Sequence, residues 1–203
     1  MVADELPDDE LPPLSDRLEA WFSSDRAKTV GDLIETFGSG SFAVLFVVLL
    51  ALPAMPLPTG GVSHVLEVIA MLLALELIAG RREVWVPARW RDRAMPAVDN
   101  ARFQAGLLRR IRWLERYARP RLSRLIEVQL VRRLYGLSVL LLSLTAFLAP
   151  PFSGLDTIPS IGVVVLSLGV LLHDFVVATI GAAIGAAGVL VVITLGRAIA
   201  GLF

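Results

Sequence analysis

Two stretches of this chain, residues 41–80 and 134–203, contain almost no charge. Together they hold four acids and one arginine. The whole chain is 56% hydrophobic and 19% charged, whereas ordinary soluble domains have roughly 45–50% apolar and about 25% charged residues. With no cysteine, the composition excludes a disordered chain, a disulfide framework and a zinc ribbon. Because backbone polar groups in lipid must be satisfied internally, we expect an all-α integral membrane protein.

The remaining charge is segregated along the chain. Residues 1–40 carry ten acids and three bases, and residues 81–133 carry fifteen arginines and five acids. An arginine-rich block between two apolar blocks is typical of a membrane protein with a cytoplasmic central loop. We therefore expect a multi-pass protein of the bacterial inner membrane, with linker and N-terminus cytoplasmic. Nucleic acid is not an expected partner, since both neighbouring blocks are compatible with lipid.

These patterns divide the chain into five segments. Residues 1–13 are an acidic tail that we expect to be disordered, and residues 14–40 form amphipathic interfacial helices, the second capped at Thr29. Residues 41–80 are a first broken-helix membrane unit, residues 81–133 a basic amphipathic linker, and residues 134–203 a second broken-helix unit ending in a transmembrane helix.

Each membrane unit is interrupted by a cluster of helix-breaking residues. The first break contains Pro53, Pro56, Pro58, Gly60 and Gly61, and the second contains Pro150, Pro151, Gly154 and Pro159. Two matched breaks suggest an internal repeat of the kind found in transporters. Either the flanking segments are full spans, or each unit is a re-entrant hairpin. The run Ser41–Leu52 has 12 residues, about 18 Å of helix against a hydrocarbon core of about 30 Å, which favours the hairpin.

Polar side chains near the breaks and within the apolar segments are candidates for binding a substrate or ion. They are Thr59, Ser63, His64, Glu67, Glu76, Asp156, Thr157, Ser160, His173 and Asp174. Acids inside a membrane are costly and are functional candidates by default. Three simpler interpretations stay open: Glu76 reaches a neighbouring arginine, His173 and Asp174 form a turn, and the hydroxyls cap helices. No metal centre, cofactor site or nucleophile–base arrangement is recognisable, so we expect no enzymatic activity.

Two further surface features of the sequence indicate binding to lipid or to another helix. The linker helices 102–118 and 121–134 carry arginines suited to anionic lipid, or they pack on each other as a hairpin. Those arginines include Arg109, Arg112, Arg116 and Arg124. The last span, Phe175–Gly196, has a stripe of small residues that allows close approach of another helix, within the chain or in a homodimer. The stripe consists of Ala178, Gly181, Gly185 and Gly188.

Three segments and one residue pair also carry a family resemblance. They are VGDLIETFG before the first apolar run, ALPAMPLPTGGVS as the first break, GRREVWVP after the second helix, and the pair His173–Asp174. On these, the chain from about residue 29 onward resembles the bacterial exopolysaccharide-synthesis family ExoD. It departs at Val84, where proline is expected, and at His173, where a basic or acidic residue is usual. The resemblance implies an integral membrane protein linked to exopolysaccharide production, with no established enzymatic activity and no catalytic residue.

Two functional hypotheses follow. In the first, the two breaks form a site near the membrane midplane that binds or moves a glycan, a lipid-linked precursor or an ion. In the second, the protein transports nothing and is an accessory protein whose basic helices bind anionic lipid or protein partners.

Overall fold

A computed structural model describes residues 12–24, 26–55, 61–94, 98, 100–117, 128–150 and 153–200. Within these ranges the chain is helical, and the one strand-like feature is an isolated bridge between Thr29 and Ala94. The all-α prediction is therefore confirmed for the described residues. The helices are α1 (Leu14–Ser23), α2 (Val30–Phe37), α3 (Ser41–Leu50), α4 (Gly61–Ile78), α5 (Ala88–Arg91), α6 (Ala101–Glu115), α7 (Gln129–Leu148), α8 (Thr157–Leu171) and α9 (Phe175–Ala200).

The core is a bundle of α3, α4, α7 and α8. Helix α3 packs against α4 and α8, and α7 packs against the same two helices from the other side. All residues of α3 from Ser41 to Val47 are buried. A helix that is apolar on every side belongs inside a protein or a membrane, and the side chains of α3 are accordingly buried among those of its neighbours.

Contacts between side chains fix the directions of these helices. His64 near the start of α4 meets Phe147 near the end of α7, whereas Gly136 near the start of α7 lies against Ile78 at the end of α4. These two helices are therefore antiparallel. Gly40, just before α3, lies against Leu171 at the end of α8, so α3 and α8 are antiparallel as well.

Both Pro/Gly breaks consequently flank the same end of the bundle. At this end, which we call the break end, α3 and α7 finish and α4 and α8 begin. At the opposite end, the linker end, the arginine-rich segment leaves α4 and enters α7. Helix α7 has 20 residues, so the two ends are about 30 Å apart.

Helix α9 lies antiparallel along α8 in unusually close contact. A Cβ atom on Gly162 would fall 2.4 Å from the Cα of Gly185, and one on Gly169 would fall 2.3 Å from the backbone nitrogen of Ala178. Gly188 lies in the same way against Pro159. The stripe of small residues thus packs against α8 of its own chain. An association between two chains would have to use another face.

Four helical stretches are long and apolar enough to cross a membrane: Val30–Leu50, Gly61–Ile78, Gln129–Leu148 and Phe175–Leu195. Two are longer than the uncharged runs in the sequence, because α2 precedes α3 and because α7 starts five residues before Leu134. The charges that ended those runs are accommodated: Glu35 pairs with Arg91 at 2.9 Å, and the extra arginines lie in the first turn of α7. Within the first stretch, however, α2 ends just before Gly38, whose φ is 49°, and α3 itself has 10 residues, about 15 Å of helix. Neither hairpins nor repeats are confirmed.

The segments around the bundle follow the sequence pattern more closely. The hydroxyl of Thr29 accepts a hydrogen bond from the backbone nitrogen of Asp32 at 3.1 Å, which confirms the predicted cap. Helix α6 buries its predicted apolar face, including Leu107 and Ile111, and packs against α1. Most of the acidic tail and the first half of the second predicted linker helix, residues 121–127, lie outside the described residues, and residues 129–134 of that predicted helix form the start of α7.

We expect Gly181→Ala to destabilise the protein, because the added Cβ would lie 2.2 Å from the backbone nitrogen of Leu166. Overpacking of this kind costs about 1–3 kcal/mol, and each kcal/mol lowers the melting temperature by roughly 2–4 °C in a chain of this size. Thermal unfolding in detergent measures the effect. Gly106→Ala in α6 is the control, because its Cβ would meet open space. Equal melting temperatures for the two variants would contradict the close α8–α9 contact.

Candidate functional site

Glu67 is the most unusual residue of the bundle interior. It lies on the face of α4 that also buries Ala70 and Ala74, and its exposed fraction is 0%. Neither carboxylate oxygen has a hydrogen-bond partner among the described residues. Burying an ionised carboxylate without partners costs several kcal/mol, so the charge of this group must be neutralised, either by a proton or by a bound cation.

His64 is a basic side chain close to this carboxylate. Its Nδ1 atom lies 3.6 Å from the Oε2 atom of Glu67, which is too long for a hydrogen bond. The imidazole is partly exposed, at 26% for the side chain, and its ring centroid lies 5.3 Å from that of Phe147. His64 therefore lies between the buried carboxylate and the surface of the bundle.

Two buried hydroxyls are also unpartnered in the interior. Ser143 on α7 and Ser160 on α8 are each 1% exposed, and neither Oγ atom has a hydrogen-bond partner among the described residues. A serine in an apolar helix usually bonds to the carbonyl four residues earlier. Ser138 does so with Leu134 at 2.9 Å, whereas Ser143 and Ser160 do not.

Packing places these groups in one layer of the bundle. Gly185 of α9 lies against Gly162 of α8 and against Leu142 of α7, so the adjacent Ser143 and the nearby Ser160 lie at similar heights on α7 and α8. The contact of His64 with Phe147 brings the next turn of α4, which carries Glu67, level with the turn of α7 that contains Ser143. We call Glu67, His64, Ser143 and Ser160 the polar cluster.

Other predicted site residues lie at the same end. Asp156 is the residue immediately before α8, at this same end. Thr157 begins α8 and is half-buried, and Ser63 is buried one helical turn before Glu67. The structure thus gathers six of the ten candidate residues at the break end: Ser63, His64, Glu67, Asp156, Thr157 and Ser160.

Three candidates lie instead at the linker end, and their contacts are structural. The carboxylate of Glu76 accepts a hydrogen bond from the backbone nitrogen of Trp85 at 2.9 Å. Asp174 caps α9 by accepting from the backbone nitrogen of Val176 at 2.8 Å. His173 has a φ of 51°, as expected of a residue in a tight turn. For this pair, the turn interpretation agrees with the geometry.

The prolines and glycines of the two breaks differ in how exposed they are. Pro53 and Pro159 are fully buried, whereas Gly61, Pro150 and Gly154 are exposed. The remaining predicted positions lie outside the described residues. They are Pro56, Pro58, Thr59, Gly60, Arg124 and Pro151.

Sequence reasoning missed Ser143. It stands in the run LLLSLTAFL together with Thr145, and nothing in the pattern distinguishes a hydroxyl bonded to its own helix from one that is unpaired. Ser41, at the start of α3, is a further buried hydroxyl without a described partner. It lies at the linker end and is not part of the polar cluster.

The linker arginines form a separate surface on α6. Arg112 pairs with Glu19 of α1, and Ser15 of α1 donates to Glu115 of α6. Arg109 and Arg116 are exposed and line a shallow groove with Arg112 and Glu19. One of the four predicted lipid-binding arginines is thus engaged within the protein.

The apolar helices and the buried acidic site define a class, since together they fit a multi-pass membrane protein. The chain matches the family described as "Exopolysaccharide synthesis, ExoD" over residues 14–194, and it belongs to that family. It is 33% identical over 170 residues to "Protein ExoD" of Rhizobium meliloti (strain 1021), covering 79% of this chain and 68% of the relative. The family implies involvement in exopolysaccharide synthesis.

A second relative is the "Uncharacterized protein slr1875" of Synechocystis sp., which is 26% identical over 162 residues, or 77% of this chain and 74% of the relative. No solved structure gives a significant match. The family resemblance seen in the sequence is therefore confirmed by comparison, while the geometry of the site rests on this chain alone.

We expect cysteines at His64→Cys and Phe147→Cys to be joined by a short bismaleimide, because the two native rings are in contact at 5.3 Å. The chain has no native cysteine, so the double variant contains only the introduced thiols. The reaction is followed by intramolecular crosslinking and mass spectrometry. His64→Cys with Leu140→Cys is the control, since Leu140 lies two turns away, about 10 Å along α7. Faster crosslinking of the control pair would contradict the register that forms the polar cluster.

Proposed function

We propose that this ExoD-family protein binds or moves a polar ligand of exopolysaccharide production at the polar cluster. The ligand classes considered are a glycan, a lipid-linked precursor and an ion. The observation that carries the proposal is the complete burial of Glu67 without a hydrogen-bond partner among the described residues. The proposed role is binding or transport and not catalysis.

If these groups had a purely structural role, we would expect each of them to have a hydrogen-bond partner. Near the linker end, the buried hydroxyl of Tyr135 donates to Ser167 at 2.8 Å, so each group satisfies the other. Such paired polar groups are the rule in protein interiors. The polar cluster breaks the rule at four residues on three helices, which is what a site that receives polar atoms from a ligand requires.

Its position in the bundle supports the same role. Helices α4, α7 and α9 each present exposed apolar side chains on their outer faces, including Leu72, Leu141 and Leu190. Those faces suit lipid, while the polar cluster faces inward. A polar site enclosed by lipid-compatible helices can hold a hydrophilic group away from bulk water.

A second candidate function is a non-transporting accessory role. The favouring observation is the outer face of α6, where Arg109 and Arg116 are accompanied by the exposed aromatic residues Trp113 and Tyr117. Arginine with aromatic side chains is the usual composition of a membrane-interface surface. On this view, α6 binds anionic lipid or a protein partner.

For localisation, we propose the inner membrane with the linker in the cytoplasm. The fifteen arginines of residues 81–133 support this orientation, because short loops rich in arginine stay on the cytoplasmic side. The break end then faces the periplasm.

Glu67→Gln tests the proposed site. We expect secreted exopolysaccharide to fall to the level of a deletion strain, since the neutral amide cannot replace the carboxylate, while membrane abundance stays near wild type. Exopolysaccharide is measured as secreted hexose in the natural host lacking its chromosomal copy. Glu76→Gln is the matched control, because Glu76 lies at the other end of α4 and accepts a hydrogen bond from the backbone nitrogen of Trp85, which a glutamine side-chain oxygen can also accept.

The same assay separates the two candidate functions. Wild-type production by Glu67→Gln, together with loss of production in the double variant Arg109→Gln and Arg116→Gln, would contradict a ligand site at Glu67. That result would support the accessory role.

Orientation is tested with single cysteines in the natively cysteine-free chain. We expect Ser153→Cys, exposed at the break end, to react with a membrane-impermeant maleimide in intact cells. Arg102→Cys, exposed on α6, should react only after permeabilisation. The reverse pattern of labelling would refute the cytoplasmic placement of the linker.

A further inference from the structure

We propose that the polar cluster is a binding site for a small monovalent cation of the sodium type, formed by unpartnered oxygen atoms that three helices bring into one layer. The inference rests on the proposed function of the same cluster and specifies its ligand. It is argued from the donor atoms, the sign of the surrounding charge, the number of carboxylates and the access to the site.

The donor atoms are those that hard cations prefer. Both oxygens of Glu67, the hydroxyl of Ser143 and the hydroxyl of Ser160 are buried without hydrogen-bond partners among the described residues. Hard cations bind carboxylate, hydroxyl and carbonyl oxygens. A bound ion would satisfy these oxygens together, which accounts for why none of the hydroxyls turns to its own helix.

The charge at the break end is negative. Among the described residues, Glu67 and Asp156 are its acids, and its basic groups are His64, which lies in the cluster, and Arg197, which is exposed in the last turn of α9. Arg197 lies nine residues beyond Gly188, about 13 Å further along α9. The arginines at the start of α7, Arg132 and Arg133, lie about 15 Å along the helix from Ser143. Because α3 and α7 end here while α4 and α8 begin here, the helix dipoles offset one another. The buried carboxylate of Glu67 therefore suits a cation better than a phosphate or other anion.

The number of carboxylates favours a single positive charge. Within the residues that the structure describes, no group of three His, Cys, Asp or Glu side chains converges to hold a metal ion. Divalent calcium takes six to eight oxygen ligands, usually several of them carboxylates. One fully buried carboxylate with two neutral hydroxyls instead neutralises one monovalent ion and leaves no excess charge in the interior.

The burial of the polar cluster favours an ion over a sugar as its ligand. Glu67, Ser143 and Ser160 are at most 1% exposed, so a sugar ring could reach them only if the helices moved apart. An ion fits between the side chains, and partly exposed His64 lies on the approach from the break end. The cluster is thus suited to an ion that accompanies or stabilises a transport step.

The test uses the purified full chain in detergent, with thermal unfolding measured in sodium chloride and in choline chloride at equal ionic strength. A ligand that binds only the folded state raises the melting temperature. We expect sodium at saturating concentration to raise it by at least about 3 °C. Glu67→Gln, Ser143→Ala and Ser160→Ala should each reduce this shift. Ser138→Ala, whose hydroxyl bonds to its own helix, should retain it.

Two results would overturn the inference. One is an equal melting temperature of the wild type in both salts, and the other is an undiminished sodium shift in Ser143→Ala and Glu67→Gln. Should Glu67→Gln fail to fold, the two serine variants decide the matter. Loss of exopolysaccharide in Glu67→Gln without any sodium shift in the wild type would reject the cation and leave the proposed function standing.

Discussion

The polar cluster depends on the close packing of α8 against α9. Gly185 occupies a position where its missing side chain leaves room for Gly162 on one side and Leu142 on the other. Three helices thereby share one height, and the serines beside these contacts face the same interior layer. In an apolar environment the hydrophobic effect cannot draw helices together, so close contact between small residues is the main source of specificity. The glycines of α9 therefore determine where polar atoms can meet.

The two ends of the bundle handle buried polarity differently. At the linker end, polar groups have defined partners: Tyr135 bonds to Ser167, Asp174 caps α9, and Glu76 holds the turn after α4. At the break end, Glu67, Ser143 and Ser160 are buried without such partners in the described chain. A fully paired polar group stabilises one structure, whereas an unpaired group retains the capacity to bind something else. Ser41 is an exception at the linker end, since its buried hydroxyl also has no described partner. The only unpartnered carboxylate among the described buried groups is nevertheless at the break end, which is why the proposed site is placed there.

Much of this arrangement could be predicted from sequence, and the exceptions have physical causes. Apolar composition predicted an all-helical chain, and spacing predicted the cap at Thr29 and the helix that became α6. The length of α7 was underestimated, because the helix begins at Gln129 and includes Arg132 and Arg133, whereas a count of uncharged residues begins at Leu134. Ser143 was missed because its pairing depends on the orientation of α7. The sequence also left open whether the small-residue stripe packs against a helix of its own chain or of another. That choice depends on tertiary packing.

Glu67 also constrains how the protein can be assembled. A charged side chain near the centre of an inserting helix costs about 2.5–3.5 kcal/mol, and α4 carries a second acid at Glu76. Helix α3, by contrast, is apolar throughout and precedes α4 during synthesis. We infer that α3 enters the bilayer first and that α4 follows as its neighbour, with the carboxylate turned toward protein and away from lipid. The order of helices along the chain would then serve biogenesis, since the most hydrophobic element is in place before the costliest one arrives.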